Sequence, residues 1–260
     1  MTKLRTPLEV YKPLLEQFCI DTKDVNIGDT FPSIFLPHVM TGYENAKRKI
    51  FYFGQDTSGW TETKELMQKH KNNLLHEYIS ETSEWLNNNG YLDYNEYKAF
   101  GFWTLVAKLH LRMKGVKEVN GIGPDFYNDD NLELLNDFGY GNTNSIEIKE
   151  SLIRRKKWDI IDQSKYWIIK EKSKIFDKLK YTIEVYNPDL IFIFNWSCDD
   201  KVFLEDLSYE IEKYDLINNH FWVVNLLDTN TKIIWTVHPN NLKFQGYNVD
   251  QLIETIIKFV

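Results

Sequence analysis

Three short runs in this chain are almost wholly apolar: Ile50-Phe51-Tyr52-Phe53, Leu190-Ile191-Phe192-Ile193-Phe194 and Ile233-Ile234-Trp235-Thr236-Val237. A run of four or five residues without polar–apolar alternation suits a strand covered on both faces, as at the centre of a parallel sheet. Each run stops at polar residues. Gly54-Gln55-Asp56-Thr57-Ser58-Gly59-Trp60 follows the first, Trp196-Ser197 follows closely on the second, and His238-Pro239-Asn240-Asn241-Leu242 follows the third. In open α/β sheets ligands bind at the carboxyl ends of the strands. The constraint on folding therefore also nominates the residues with chemistry to offer.

The rest of the pattern predicts helices between the strands. Residues 7 to 20 have helical spacing, with Pro7 near the first turn and Thr6 as its cap. Residues 61 to 90 and 94 to 114 read as helices, and Asn87-Asn88-Asn89-Gly90 closes the first. Residues 115 to 132 read as a loop, and 134 to 148 are ambiguous, with a strand end near Tyr140 to Ile146. One long helix is expected over 163 to 186, broken by Asn187-Pro188. Another is expected from Asp199 or Asp200 to about Tyr214. Phe221 to Leu226 reads as a strand, and Asn248 with Gln251 forms a capping box before the last helix. Strands alternating with helices predict an α/β sheet covered on both faces. The chain reads as one domain over 1–260, with a helical insert at about 61–180.

Composition narrows the function classes. Hydrophobic residues are 43% of the 260, enough for a sizeable core, and the net charge of −7 is not the footprint of a general nucleic-acid binder. Basic residues do cluster at Arg154-Arg155-Lys156-Lys157 and at Lys170, Lys172, Lys174 and Lys178, where the plain reading is a solvated helix face. Cys19 and Cys198 are the only cysteines, too few for an iron–sulfur cluster or a disulfide framework. The first residues carry no apolar leader and no run is long enough to span a membrane, so a soluble cytoplasmic protein is expected.

A carboxylate just past a buried strand, as at Asp56, can position a water while the sheet fixes its backbone. Its plain alternative is a helix cap in a strand-to-helix turn. Gly54 lets a ligand approach the main chain. Pro239 favours an extended His238 and so aims its imidazole. A neutral imidazole can donate a hydrogen bond to an oxygen that becomes anionic, an interaction of about 3 kcal/mol in a preorganised site. Trp85, Trp103, Trp158, Trp167 and Trp222 read as core anchors. His70, His76 and His110 lack metal-ligand spacing, and His38 is a candidate for a pocket mouth.

Gly54-Gln55-Asp56 after the first core strand and His238-Pro239-Asn240-Asn241-Leu242 after the last resemble the two signature motifs of the uracil-DNA glycosylase superfamily. The resemblance covers these motifs and the strand context. It implies a three-layer α/β/α fold with a central, mainly parallel four-stranded sheet. It also implies roles. Asp56 holds or activates the attacking water, and His238 stabilises the departing base through O2. Gln55 and Gly54 line the base pocket. Asn142 or Asn144 reads the base edge, and Trp60, Phe100 or Phe102 stacks on it. Leu242 is the wedge that fills the gap left by a flipped nucleotide, and Asn240, Asn241 and Ser197 are DNA contacts. No cofactor and no metal are implied. The chain departs from the best-known branch at Thr57-Ser58-Gly59, where that branch has Pro-Tyr-His, and at Asn240-Asn241, where Ser-Pro is usual. Ser58 is too small to exclude a thymine methyl as that Tyr does.

Three functions are consistent with these residues. The first is a DNA glycosylase-like hydrolase that removes a flipped deaminated base such as uracil, with single- or double-stranded DNA as its partner. The second is a non-catalytic module that binds a nucleobase or nucleic acid on the same fold, or a protein partner. The third is a small-molecule hydrolase, which has no use for Leu242.

Overall fold

A computed structural model describes residues 5–25, 30–32, 34–55, 61–63, 101–116, 133–146, 163–195 and 201–260. Helix α1 (Pro7–Asp21) starts as its sequence requires: the Glu9 N–H donates to Thr6 Oγ1 at 3.2 Å and the Thr6 N–H to the Glu9 carboxylate at 2.7 Å. Strand β1 (Thr30–Pro32) pairs antiparallel with β4 (Thr61–Thr63) as a separate ribbon. The main sheet contains β2 (His38–Val39), β3 (Ile50–Gly54), β5 (Phe138–Asn142), β6 (Leu190–Asn195), β7 (Tyr209–Tyr214), β8 (Phe221–Leu226) and β9 (Lys232–Val237). Its order is β2-β5-β3-β6-β9-β8-β7.

The inner run β5-β3-β6-β9 is parallel throughout. Strand β2 joins one side antiparallel, and β8 and β7 extend the other in the same sense. The described sheet therefore has seven strands rather than the four expected, and the additions lie outside the parallel run. The three apolar runs of the sequence supply β3, β6 and β9.

Side chains leave this sheet in two directions into two apolar clusters. Phe51, Phe53, Ile191, Ile193, Ile233 and Trp235 pack with α1, α3 (Gln163–Ser173) and α4 (Leu179–Tyr186). Ile50, Tyr52, Leu190, Phe192, Phe194 and Ile234 pack with α2 (Phe102–Met113), α5 (Pro239–Leu242) and α6 (Val249–Ile257). Full burial of one such side chain stabilises by about 1.5–3 kcal/mol, so both clusters are needed to offset chain ordering. Among the described residues no helix is long and apolar enough to cross a membrane.

Several local expectations change. The helix expected over 163–186 is two helices joined by the 3₁₀ turn Lys174–Phe176. The Asp177 carboxylate accepts the Ser145 N–H at 2.7 Å, and Lys178 is extended, so the helix cannot continue. Asn187, left-handed at φ 43°, then ends α4 before Pro188. The helix expected up to Tyr214 is instead a 3₁₀ turn (Val202–Leu204) followed by β7. In β7, Tyr209 and Ile211 pack on the core while Glu210 and Glu212 face out, the charged alternation of an edge strand. Residues 61–63 are strand rather than helix, and 64–100 lie outside the described residues. The range 61–180 is not an insert alone, because it supplies β5, the outer strand of the parallel run, and α2 against it. Trp167 is half-exposed, while Trp103 is buried as expected and Trp222 packs against the core; Trp85 and Trp158 lie outside the described residues.

Strand β5 reads Phe-Gly-Tyr-Gly-Asn, and its glycines have a steric cause. Gly139 lies opposite Phe51 and Gly141 opposite Phe53. A Cβ on Gly139 would stand 2.2 Å from the Phe51 ring, and one on Gly141 would stand 2.5 Å from Phe53. The two phenylalanines occupy the space that β5 side chains would otherwise fill. Gly139→Ala is expected to destabilise by about 1–3 kcal/mol, because a buried ring must move. Urea unfolding checks this; an unchanged midpoint contradicts the close approach.

Candidate functional site

Register carries the first site residues together. Gly54, the last residue of β3, pairs with Asn142, the last of β5. The two chains stay joined beyond the strands: the Thr143 N–H donates to Gly54 O at 2.9 Å and the Asn144 N–H to Gln55 O at 2.8 Å. A Cβ on Gly54 would lie 3.0 Å from Asn142 Oδ1 and 3.4 Å from the Phe102 ring. Gly54 is thus buried in close contact with an amide and an aromatic ring, where only a residue without a side chain fits. The Tyr140 hydroxyl donates to Asn142 Oδ1 at 2.8 Å and holds the amide in place.

Phe102 is the first residue of α2, and that helix is anchored from below. The Tyr52 hydroxyl donates to His110 Nδ1 at 2.9 Å, and His110 Nε2–H donates to Asp137 Oδ1 at 2.7 Å. The acceptor-only carboxylate puts a proton on Nε2, and in the neutral ring Nδ1 accepts from the Tyr52 hydroxyl. Burial lowers the His110 pKa against the opposing pull of Asp137. Lys114 completes the chain by pairing with the other oxygen of Asp137. This network ties α2 to β3 and to the entry of β5, and so holds Phe102 at the carboxyl edge.

His238 arrives from β9. Its backbone is extended, φ −64° and ψ 139°, as the following Pro239 demands, and it caps α5. The Asn240 N–H donates to its Nδ1 at 3.2 Å. Nδ1 is therefore an acceptor, and the neutral ring carries its proton on Nε2. The imidazole lies nearly parallel to the Phe102 ring, 18° between planes with centroids 6.3 Å apart. Gly54, Asn142, Phe102 and His238 thus come from four segments to one edge of the sheet. Phe102, one of three aromatics the sequence nominates, lies beside Gly54, while Trp60 and Phe100 lie outside the described residues.

Other predicted residues fall elsewhere. Asn144 sits across the edge, where its Oδ1 accepts from Lys170 Nζ at 3.2 Å. It lines a cavity of about 200 Å³ with Gln55, Lys170, Asn195 and Phe203. Phe203 belongs to the core cluster on the opposite face from the one Phe102 joins. Leu242 is not a surface wedge: its side chain is fully buried among the residues of α2 and α6. The large apolar side chain that this segment presents to solvent is Phe244, 82% exposed. Asn240 is exposed and Asn241 buried. Asp56, Trp60, Phe100 and Ser197 lie outside the described residues.

No protein-family profile, curated protein or solved structure matches this chain.

His38, expected at a pocket mouth, is buried instead. It lies in β2 opposite Tyr140 and meets Phe35 edge-on, with ring centroids 5.6 Å apart. Among the described residues neither ring nitrogen has a hydrogen-bond partner. Burial alone pushes its pKa from 6.5 down to about 3. The folded chain then resists a proton that the unfolded chain accepts. The corresponding stability is complete above pH 6.5 and is lost as pH falls from there towards 3, at about 1.4 kcal/mol per pH unit. His38→Leu is expected to flatten the fall in unfolding free energy between pH 6.5 and 4.5. An identical slope in both proteins contradicts the assignment.

Proposed function

We propose that this chain is a DNA glycosylase-like hydrolase acting on a flipped, deaminated base such as uracil. The observation that carries the reading is the meeting of Gly54, Asn142, Phe102 and His238 at the carboxyl edge of the parallel strands. In this reading β5-β3-β6-β9, with helices against both faces, is the layered parallel core that the resemblance implies.

The chemistry follows from the groups. The base lies at the strand end beside Gly54 and stacks on Phe102. The Asn142 amide offers both an acceptor and donors, the complement of a uracil N3–H and O4. As the glycosidic bond breaks, the sugar becomes oxocarbenium-like and the base leaves with negative charge on O2. His238 Nε2–H donates to that oxygen. Its proton is already on the correct nitrogen because Nδ1 is occupied by the Asn240 N–H. Asp56, next in the chain after Gln55, has the role of holding the water and facing the cationic sugar. The wedge role passes from Leu242 to Phe244, since filling the gap in a duplex requires an exposed apolar side chain.

The net charge of −7 favours a second reading, a binding module without catalysis. One assay separates the two. Oligonucleotides carrying uracil, hypoxanthine or xanthine are expected to be cleaved at the modified base. His238→Ala is expected to slow cleavage about 10²–10³-fold, and Asp56→Asn to slow it comparably. Phe244→Ala is expected to impair duplex cleavage more than single-strand cleavage, since only the duplex needs its stack opened. Full cleavage by both Asp56→Asn and His238→Ala contradicts the mechanism. No cleavage by folded protein that still binds the oligonucleotides selects the binding module.

A further inference from the structure

The cavity across the sheet edge from Phe102 has walls rich in hydrogen-bond donors, and their orientation can be read from their partners. Asn195 ends β6, and its Oδ1 accepts from Trp235 Nε1 at 2.8 Å. An indole N–H only donates, so the oxygen of this amide is committed to Trp235 and its NH₂ is the end left for the cavity. Asn144 repeats the arrangement. Its Oδ1 accepts from Lys170 Nζ, which also only donates, and its NH₂ is turned the other way. Both residues line the cavity, which holds about 200 Å³.

Lys170 supplies the charge. Its side chain is only 13% exposed. Its contacts are to Asn144 Oδ1 at 3.2 Å, Ile146 O at 3.5 Å and Asp177 Oδ2 at 3.7 Å. All are longer than the roughly 2.7–2.9 Å of a charge-assisted hydrogen bond. Asp177 is the carboxylate in this wall, and its other oxygen is held by the Ser145 N–H at 2.7 Å. Lys174 stands at the same cavity and pairs with Glu171 at 2.7 Å. The plain reading of this basic stretch as a solvated helix face does not hold for Lys170.

A sheltered ammonium with long contacts and two amides presenting NH₂ groups fit a compact oxyanion that accepts several hydrogen bonds at once. We infer that this cavity binds a phosphate group, through Lys170 Nζ and the amide NH₂ groups of Asn144 and Asn195. The site does not depend on glycosidic chemistry, and Gln55 links it to the Phe102–His238 edge by lying next to Gly54 in the chain.

Calorimetric titration of the full chain with inorganic phosphate, against chloride at equal ionic strength, tests this. Asn195→Asp and Asn144→Asp each keep the oxygen that Trp235 or Lys170 uses and replace the donor with a second anionic oxygen. Saturable phosphate binding is expected for the unaltered chain. Each variant is expected to bind about tenfold or more weakly, with the far-ultraviolet circular dichroism of the unaltered chain. No phosphate heat beyond the chloride control overturns the inference, as does wild-type binding by both variants. A second titration compares short oligonucleotides with and without a terminal phosphate. A gain from the terminal phosphate that is lost in Asn195→Asp supports the site and identifies a nucleic-acid end as its source. Equal binding of the two oligonucleotides, beside intact phosphate binding, supports the site and identifies the free ion.

Discussion

The contact between two phenylalanines of β3 and two glycines of β5 governs everything built on the carboxyl edge. Phe51 covers Gly139 and Phe53 covers Gly141, so neither strand can slide without driving a ring into backbone or opening a void. The same register sets Asn142 beside Gly54. A slip of one residue would turn Asn142 to the other face of the sheet, where Asn144 already faces a different cavity. The position of a polar side chain at the edge is therefore decided by apolar packing deeper in the sheet.

Orientation at that edge is supplied by neighbours that have no chemical role of their own. The Tyr140 hydroxyl holds Asn142 Oδ1, the Asn240 N–H holds His238 Nδ1, and Trp235 holds Asn195 Oδ1. The Asn240 and Trp235 N–H groups can only donate, so they settle the orientation of the His238 imidazole and the Asn195 amide. Beneath them, buried Tyr52, His110 and Asp137 form a polar chain that ends at the exposed Lys114 and links α2 to two strands. Preorganisation of this kind allows a donor to act on developing charge without reorganising at the moment of reaction.

What could be read in the sequence follows from where each element finds its apolar surface. Strands β3, β6 and β9 carry their own, so their continuous runs announce them. Strand β5 does not, because its glycines borrow the rings of Phe51 and Phe53, and a single-chain pattern has no means of showing a loan across strands. Strand β7 was hidden by its charges, which suit a sheet edge and a helix surface equally. The break between α3 and α4 depends on Asp177 meeting the Ser145 N–H, a contact from another part of the chain. At the site, His238 and Gly54 were legible because proline and glycine restrict or free the backbone locally. The burial of Leu242, the exposure of Phe244 and the position of Phe102 beside Gly54 all depend on how α2 and α6 pack, which no local motif encodes.

The central claim is that Gly54, Asn142, Phe102 and His238 form one nucleobase site. A crystal structure of the chain grown with uracil tests it most directly. The account predicts the ring stacked on Phe102, with its N3–O4 edge at the Asn142 amide and its O2 within about 3 Å of His238 Nε2. Uracil bound away from Phe102, or Phe102 and His238 packed with no room for the ring between Gly54 and solvent, contradicts it.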